Sequence, residues 1–293
     1  MPSAKQVWTR RGIVAYGVLL AASTIYRWRR SSQPLPAGML AQTLVVDHGQ
    51  AVTLAYRDSA PGSSLPVVFL IHGSPGSSRV MSGLARLLPA RYRLIIPDLP
   101  GFGASTHSLP NYSFDDHARY LLALMDRLSI DRAHLVGFSM GGGVVLCMEA
   151  RAPQRVNSIT MLSAIGVQEQ ELLGGYWKNH ALHAAQLGLL AALRAGTPHF
   201  GLLDRDGLNV EYARNFYDSD QRPLRAILER YQGPMLIIHG TQDRNVPVAA
   251  AYEHHRLVPQ SELVIFEGNH FATFERPQVI APPLIAFLDR QAR

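Results

Sequence analysis

Residues 133–143 read AHLVGFSMGGG, and this stretch decides the fold. Residues 133–137 form an apolar run of the kind found in strands buried on both faces of a parallel sheet. Gly137-Phe138-Ser139-Met140-Gly141 is a G-x-S-x-G. The run Gly141-Gly142-Gly143 then opens a helix predicted over residues 141–152, which Pro153 ends. A strand that runs straight into a helix must turn sharply, and a serine at the apex stands exposed above the sheet edge. The crowded backbone leaves room only for glycine on either side, and the helix N-terminus behind the serine favours developing negative charge. Ser139 is therefore the candidate nucleophile.

The alternation continues in both directions. Strands are predicted at residues 67–71, 94–96, 158–163, 235–239 and 262–266, and helices at 80–88, 114–128, 248–257 and 278–288. An opening hairpin, 44–46 with 52–56, turns around His48-Gly49-Gln50. Asp115 and Asp116 in the first turn suit the start of the 114–128 helix. Strand–helix alternation predicts an α/β fold with a mostly parallel sheet and helices on both faces. Between residues 166 and 232 the helix-like stretches 171–195 and 224–231 follow one another with no strong strand between them. An inserted helical cap is expected at 167–232, on a core of residues 39–166 and 233–293. A chain of 293 residues, 47% hydrophobic, can bury one such core.

Two further groups converge on the edge carrying Ser139. His72-Gly73-Ser74-Pro75-Gly76 follows the 67–71 strand, so the Ser74 N–H can join the Met140 N–H as an oxyanion hole. His72, at the strand end before two turn residues, suits loop ordering better than proton transfer. Asp243 and His270 each follow a predicted strand, on the same edge, in the chain order Ser, Asp, His. Histidine supplies a base near neutral pH, and a buried carboxylate fixes its tautomer. Glu267 is the fallback acid.

HGSPG (72–76), DLPGFGAS (98–105), GFSMGG (137–142), HGTQDRNVP (239–247) and GNH (268–270) together resemble the α/β-hydrolase fold family, and within it the capped esterases, lipases and carbon–carbon hydrolases. The resemblance covers residues 42–290. It implies a serine hydrolase that needs neither metal nor organic cofactor, and it makes DLPGFGAS a structural turn, so Asp98 is given no catalytic role. Haloalkane dehalogenases and epoxide hydrolases share the layout but carry aspartate where this chain has Ser139. The expected substrate is a small-molecule carboxylic ester, lipophilic and acylglycerol- or lysophospholipid-like. Carbon–carbon bond hydrolysis, acyl or perhydrolytic transfer, and a catalytically silent binding module are the alternatives.

Lys5, Arg10, Arg11, Arg27, Arg29 and Arg30 lie in the first thirty residues, which hold no acid. With those six set aside basic and acidic residues balance, so the net +6 belongs to the tail and no nucleic-acid surface is expected. The apolar run 12–26, flanked by arginines and by Trp8 and Trp28, is expected to be an uncleaved single-pass membrane anchor (residues 1–38 with its linker), a cleaved export signal and a peripheral amphipathic tail being the alternatives. The single cysteine, Cys147, precludes an internal disulfide and reads as a buried small hydrophobe. His180 and His183, spaced i,i+3, read as surface histidines rather than metal ligands, and His254-His255 likewise as surface. The Leu/Ala-rich stretch 182–193 either packs on the cap or forms an apolar entry.

Overall fold

The computed structural model describes residues 3–31, 35–46, 50–204 and 208–291; the predicted hairpin turn at His48-Gly49 and part of the linker lie outside them. Eight strands form one sheet: β1 (Leu40–Val46), β2 (Gln50–Asp58), β3 (Val67–Ile71), β4 (Arg93–Pro97), β5 (Ala133–Phe138), β6 (Val156–Leu162), β7 (Met235–Gly240) and β8 (Glu262–Phe266). Their order is β1-β2-β4-β3-β5-β6-β7-β8. β1 and β2 are antiparallel to their neighbours, and every pairing from β4 to β8 is parallel. Helices α2 (Ser78–Ala85) and α10 (Pro277–Gln291) cover one face. Helices α3 (Phe114–Arg127), α4 (Gly141–Arg151), α7 (Arg222–Arg230) and α8 (Val248–Leu257) cover the other, giving two separate apolar clusters.

The local chemistry matches these boundaries. Ser113 caps α3: its Oγ accepts from the Asp116 N–H (3.1 Å) and donates to the Asp116 carboxylate (2.8 Å), so one of the orphan donors of the first turn is met. β3, β4 and β5 are buried along their whole length, as strands covered by helices on both faces must be. Arg93, the first residue of β4, makes a bidentate ion pair with Asp58, the last of β2, and both side chains are almost fully buried. Removing one partner leaves an uncompensated buried charge. Arg93→Met is expected to cost about 3–5 kcal/mol of unfolding free energy in a denaturant titration, most of it recovered in Arg93→Met/Asp58→Leu.

Between β6 and β7 lie α5 (Tyr176–Gly196), α6 (Val210–Asp218) and α7. α6 was not anticipated. Its signals are an Asn209 side chain that accepts from the Tyr212 N–H (2.5 Å) and an apolar face too short to stand out in the sequence. His183, expected at the surface, is buried and stacks on Phe216 of α6 at 5.2 Å, while His180 is sandwiched between Tyr176 and Tyr217. His254 is also fully buried, because Gly166 has no side chain and lets its ring approach closely, and His255 is half-buried with its Nδ1 2.8 Å from Ser261 Oγ. Cys147 is half-buried against the core, and burial pushes its thiol up to about 12.

The membrane-anchor expectation for residues 12–26 is corrected. The tail is a helix, α1 (Ala4–Ser31), but among the described residues no helix is long and apolar enough to cross a membrane. The uncharged run of about 15 residues spans about 22 Å against a hydrocarbon core of about 30 Å, a shortfall that the flanking arginines and tryptophans do not make good. Part of α1 is instead seated on the chain end of α5. Ser23 Oγ accepts from the His199 and Phe200 N–H groups (3.1 and 2.9 Å), Arg27 pairs with Asp204 (2.9 Å), and Tyr16 donates to the Gly196 carbonyl.

Candidate active site

Ser139 sits where β5 passes into α4. Its φ of +54° is the left-handed conformation that a sharp strand-to-helix turn imposes. The flanking glycines are required by close approach: a Cβ on Gly137 would lie 2.4 Å from the Gly141 carbonyl oxygen, and one on Gly141 2.7 Å from that of Ile71. The turn lifts Ser139 Oγ to 3.0 Å from His270 Nε2. His270 follows β8, and its Nδ1 donates to Asp243 Oδ2, which follows β7, at 2.7 Å. Because that proton sits on Nδ1, Nε2 is free to accept from Ser139. The imidazole packs against the Phe138 ring (4.9 Å) and edge-on against Phe271 (5.7 Å), which fixes its plane.

Asp243 is held from both sides. Its Oδ1 accepts from the Asn245 and Val246 N–H groups at 2.9 and 2.8 Å. Burial pushes its carboxyl up, but the neighbouring His239 and His270 imidazoles outweigh that and hold it well below the usual carboxylate range. The fallback, Glu267, is engaged with Gln242 instead.

The 72–76 loop lies against the elbow: a Cβ on Gly73 would meet Ser139 Cβ at 2.7 Å and Oγ at 3.2 Å. Neither the Ser74 nor the Met140 N–H makes a hydrogen bond among the described residues. His72 organises this loop, as expected. Its Nδ1 donates to the Gly73 carbonyl (2.7 Å) and its Nε2 accepts from the Leu99 N–H (2.9 Å), while burial lowers its pKa. Asp98 likewise accepts from the Ser78 and Ala104 N–H groups (2.6 and 2.8 Å), which ties it to the loops beside β4.

A family profile described as alpha/beta hydrolase fold matches residues 66–185 and 190–277, well over half of the chain. The chain belongs to this family. It is 30% identical over 237 residues to a dihydrolipoyllysine-residue acetyltransferase component of an acetoin cleaving system from Pseudomonas putida, covering 75% of this chain and 62% of that relative's length. It is 27% identical to a 2-hydroxy-6-oxononadienedioate/2-hydroxy-6-oxononatrienedioate hydrolase from Paraburkholderia phymatum, over 83% of this chain and 93% of that one. Among solved structures, a bacterial membrane phospholipase A superposes with a TM-score of 0.68 at 25% identity, covering 98% of this chain and 96% of that one.

In this alpha/beta hydrolase one residue next to the acid escaped the sequence reading. His239, fully buried at the end of β7, donates from Nε2 to the Val246 carbonyl (2.9 Å) and lies 3.4 Å from Asp243 Oδ2. The only signal for it was its place four residues before Asp243 in HGTQD.

Proposed function

We propose that the chain hydrolyses carboxylic esters through an acyl-enzyme. The observation that carries this reading is the unbroken hydrogen-bond line from Asp243 through His270 to Ser139; the Ser74 and Met140 N–H groups, from the loop and turn beside that serine, make no hydrogen bond among the described residues. As Ser139 Oγ attacks the ester carbonyl, His270 Nε2 takes its proton. The carbonyl oxygen becomes an alkoxide facing the Ser74 and Met140 N–H groups, and Asp243 stabilises the imidazolium. His270 then returns the proton to the departing alcohol. Water, deprotonated by the same nitrogen, attacks the acyl carbon, releasing the acid and restoring Ser139.

A lipophilic acyl chain is the favoured substrate class. Helix α5, in the segment proposed as a cap, exposes Leu182, Leu189 and Leu193, and the phospholipase A is related along nearly the whole chain. The Paraburkholderia relative favours a second reading, carbon–carbon bond hydrolysis of a vinylogous diketone acid with the same three residues. Turnover of p-nitrophenyl esters from acetate to decanoate, beside one such diketone acid, separates the two. The ester reading expects kcat/KM to rise with chain length and the acid to be turned over poorly. Turnover confined to the acid overturns it.

A further inference from the structure

The proposed oxyanion donor, the Met140 N–H, shares its peptide unit with the Ser139 carbonyl, which accepts from the Gly142 and Ile165 N–H groups (3.0 and 3.1 Å), so the elbow holds it through the backbone. Met140 occupies the cap position of α4, where its side chain makes no capping hydrogen bond. Its side chain is nevertheless buried, and it meets a residue from far along the chain. Asn215 of α6 brings its Nδ2 against Met140 Sδ. The Asn215 carboxamide is oriented by a third element, because His117 Nε2 of α3 donates to Asn215 Oδ1 at 2.8 Å. Asn215 and His117 are both fully buried, and burial pushes His117 down to about 4, so its ring is neutral near pH 7.

An asparagine inside a helix is disfavoured, because its amide competes for backbone hydrogen bonds. At Asn215 the amide is turned wholly onto Met140 and His117. α6 is itself fixed on several sides: Glu211 pairs with Arg194 of α5 (3.0 Å), Arg214 donates to the Leu109 carbonyl (2.8 Å), and Asp218 accepts from the Tyr112 N–H (3.0 Å). The thioether is a weak acceptor, so the contact supplies position more than energy. It gives Met140 a hold from outside the elbow, added to the backbone hydrogen bonds within it.

We propose that Asn215 is a positioning residue for ester hydrolysis, aiming the Met140 N–H through its hydrogen-bonded contact with the Met140 side chain. The inserted helices would then support the oxyanion donor as well as lie over the site. The inference rests on the function proposed above. It differs from a packing role in what it predicts: a mis-aimed donor is felt in the transition state and barely in the ground state, so kcat falls while KM holds.

The experiment is a double-mutant cycle of Asn215→Leu and Met140→Leu, each placing a branched apolar side chain of similar shape where one half of the contact stood. Steady-state kinetics on a p-nitrophenyl ester are read beside melting temperature and fluorophosphonate labelling of Ser139. Each single variant is expected to lose about 10- to 100-fold in kcat, less than the about 10²–10³ for outright loss of an oxyanion donor, with KM within twofold. The double variant is expected to be no worse than the weaker single. Where Asn215→Leu does not fold, Met140→Leu carries the test from the other side. Wild type labelled at Ser139 together with unchanged kcat in the folded variants, a rise in KM alone, or additive losses overturns the proposal. No labelling of folded wild type fails the hydrolase reading first, and this inference with it.

Discussion

Ser139→Ala is expected to lower kcat on an activated ester by about 10⁴–10⁶, with KM changed by less than about threefold. The loss corresponds to about 5–8 kcal/mol of transition-state stabilisation. The substitution removes one oxygen from a buried position and leaves the φ of +54° to be borne by alanine, so a small loss of stability accompanies it. His270→Ala is expected to lose nearly as much, and Ser139→Ala/His270→Ala no more than the worse single variant, because the two side chains act as a unit. Steady-state rates and mass spectrometry of fluorophosphonate-treated protein check this. Retention of more than about one per cent of activity in Ser139→Ala removes Ser139 from the role of nucleophile.

Asp243→Asn is the second large effect. The amide keeps the shape but presents an N–H₂ where an acceptor stood. It can then donate to His270 Nδ1, which moves the imidazole proton to Nε2. That nitrogen now faces Ser139 Oγ at 3.0 Å as a donor and cannot accept its proton. A fall of about 10⁴ in kcat is expected. The variant also tests the electrostatics. The folded-state pKa of Asp243 is depressed, so its ionised form stabilises the fold. That contribution is fully present above the unfolded-state value of about 4 and is lost as pH falls through the depressed folded value. The gap in urea midpoint between wild type and Asp243→Asn is therefore expected to be widest near neutral pH and to narrow below about pH 4. A gap independent of pH would mean that Asp243 stabilises the fold by shape alone.

Most of the fold was legible because its signals are local. The predicted helix 248–257 and strand 262–266 coincide with α8 and β8, and the 114–128 helix ends one residue early. The same holds for the elbow: glycines at 137 and 141 are demanded by backbone contacts a few residues away, and the sequence displays that demand. The tail was misread for an equally physical reason. An apolar run between arginines reads as membrane-like in isolation. Length against bilayer thickness, and the seating of Ser23 on the 199–200 backbone, are what distinguish it.

By itself, then, the sequence determined the strand–helix alternation, the strained serine turn, and the placing of Asp243 and His270 after successive strands. Hydrophobic periodicity and turn chemistry are written within about ten residues of where they act. Only the tertiary structure decided the rest. It set which acid meets His270, the placement of His239 beside that acid, the burial of His183 and His254, and the closure of Asn215 onto Met140 across 75 positions of chain. Those contacts depend on how helices and sheet pack in three dimensions, and a buried polar pair leaves no periodic trace in either of the segments it joins.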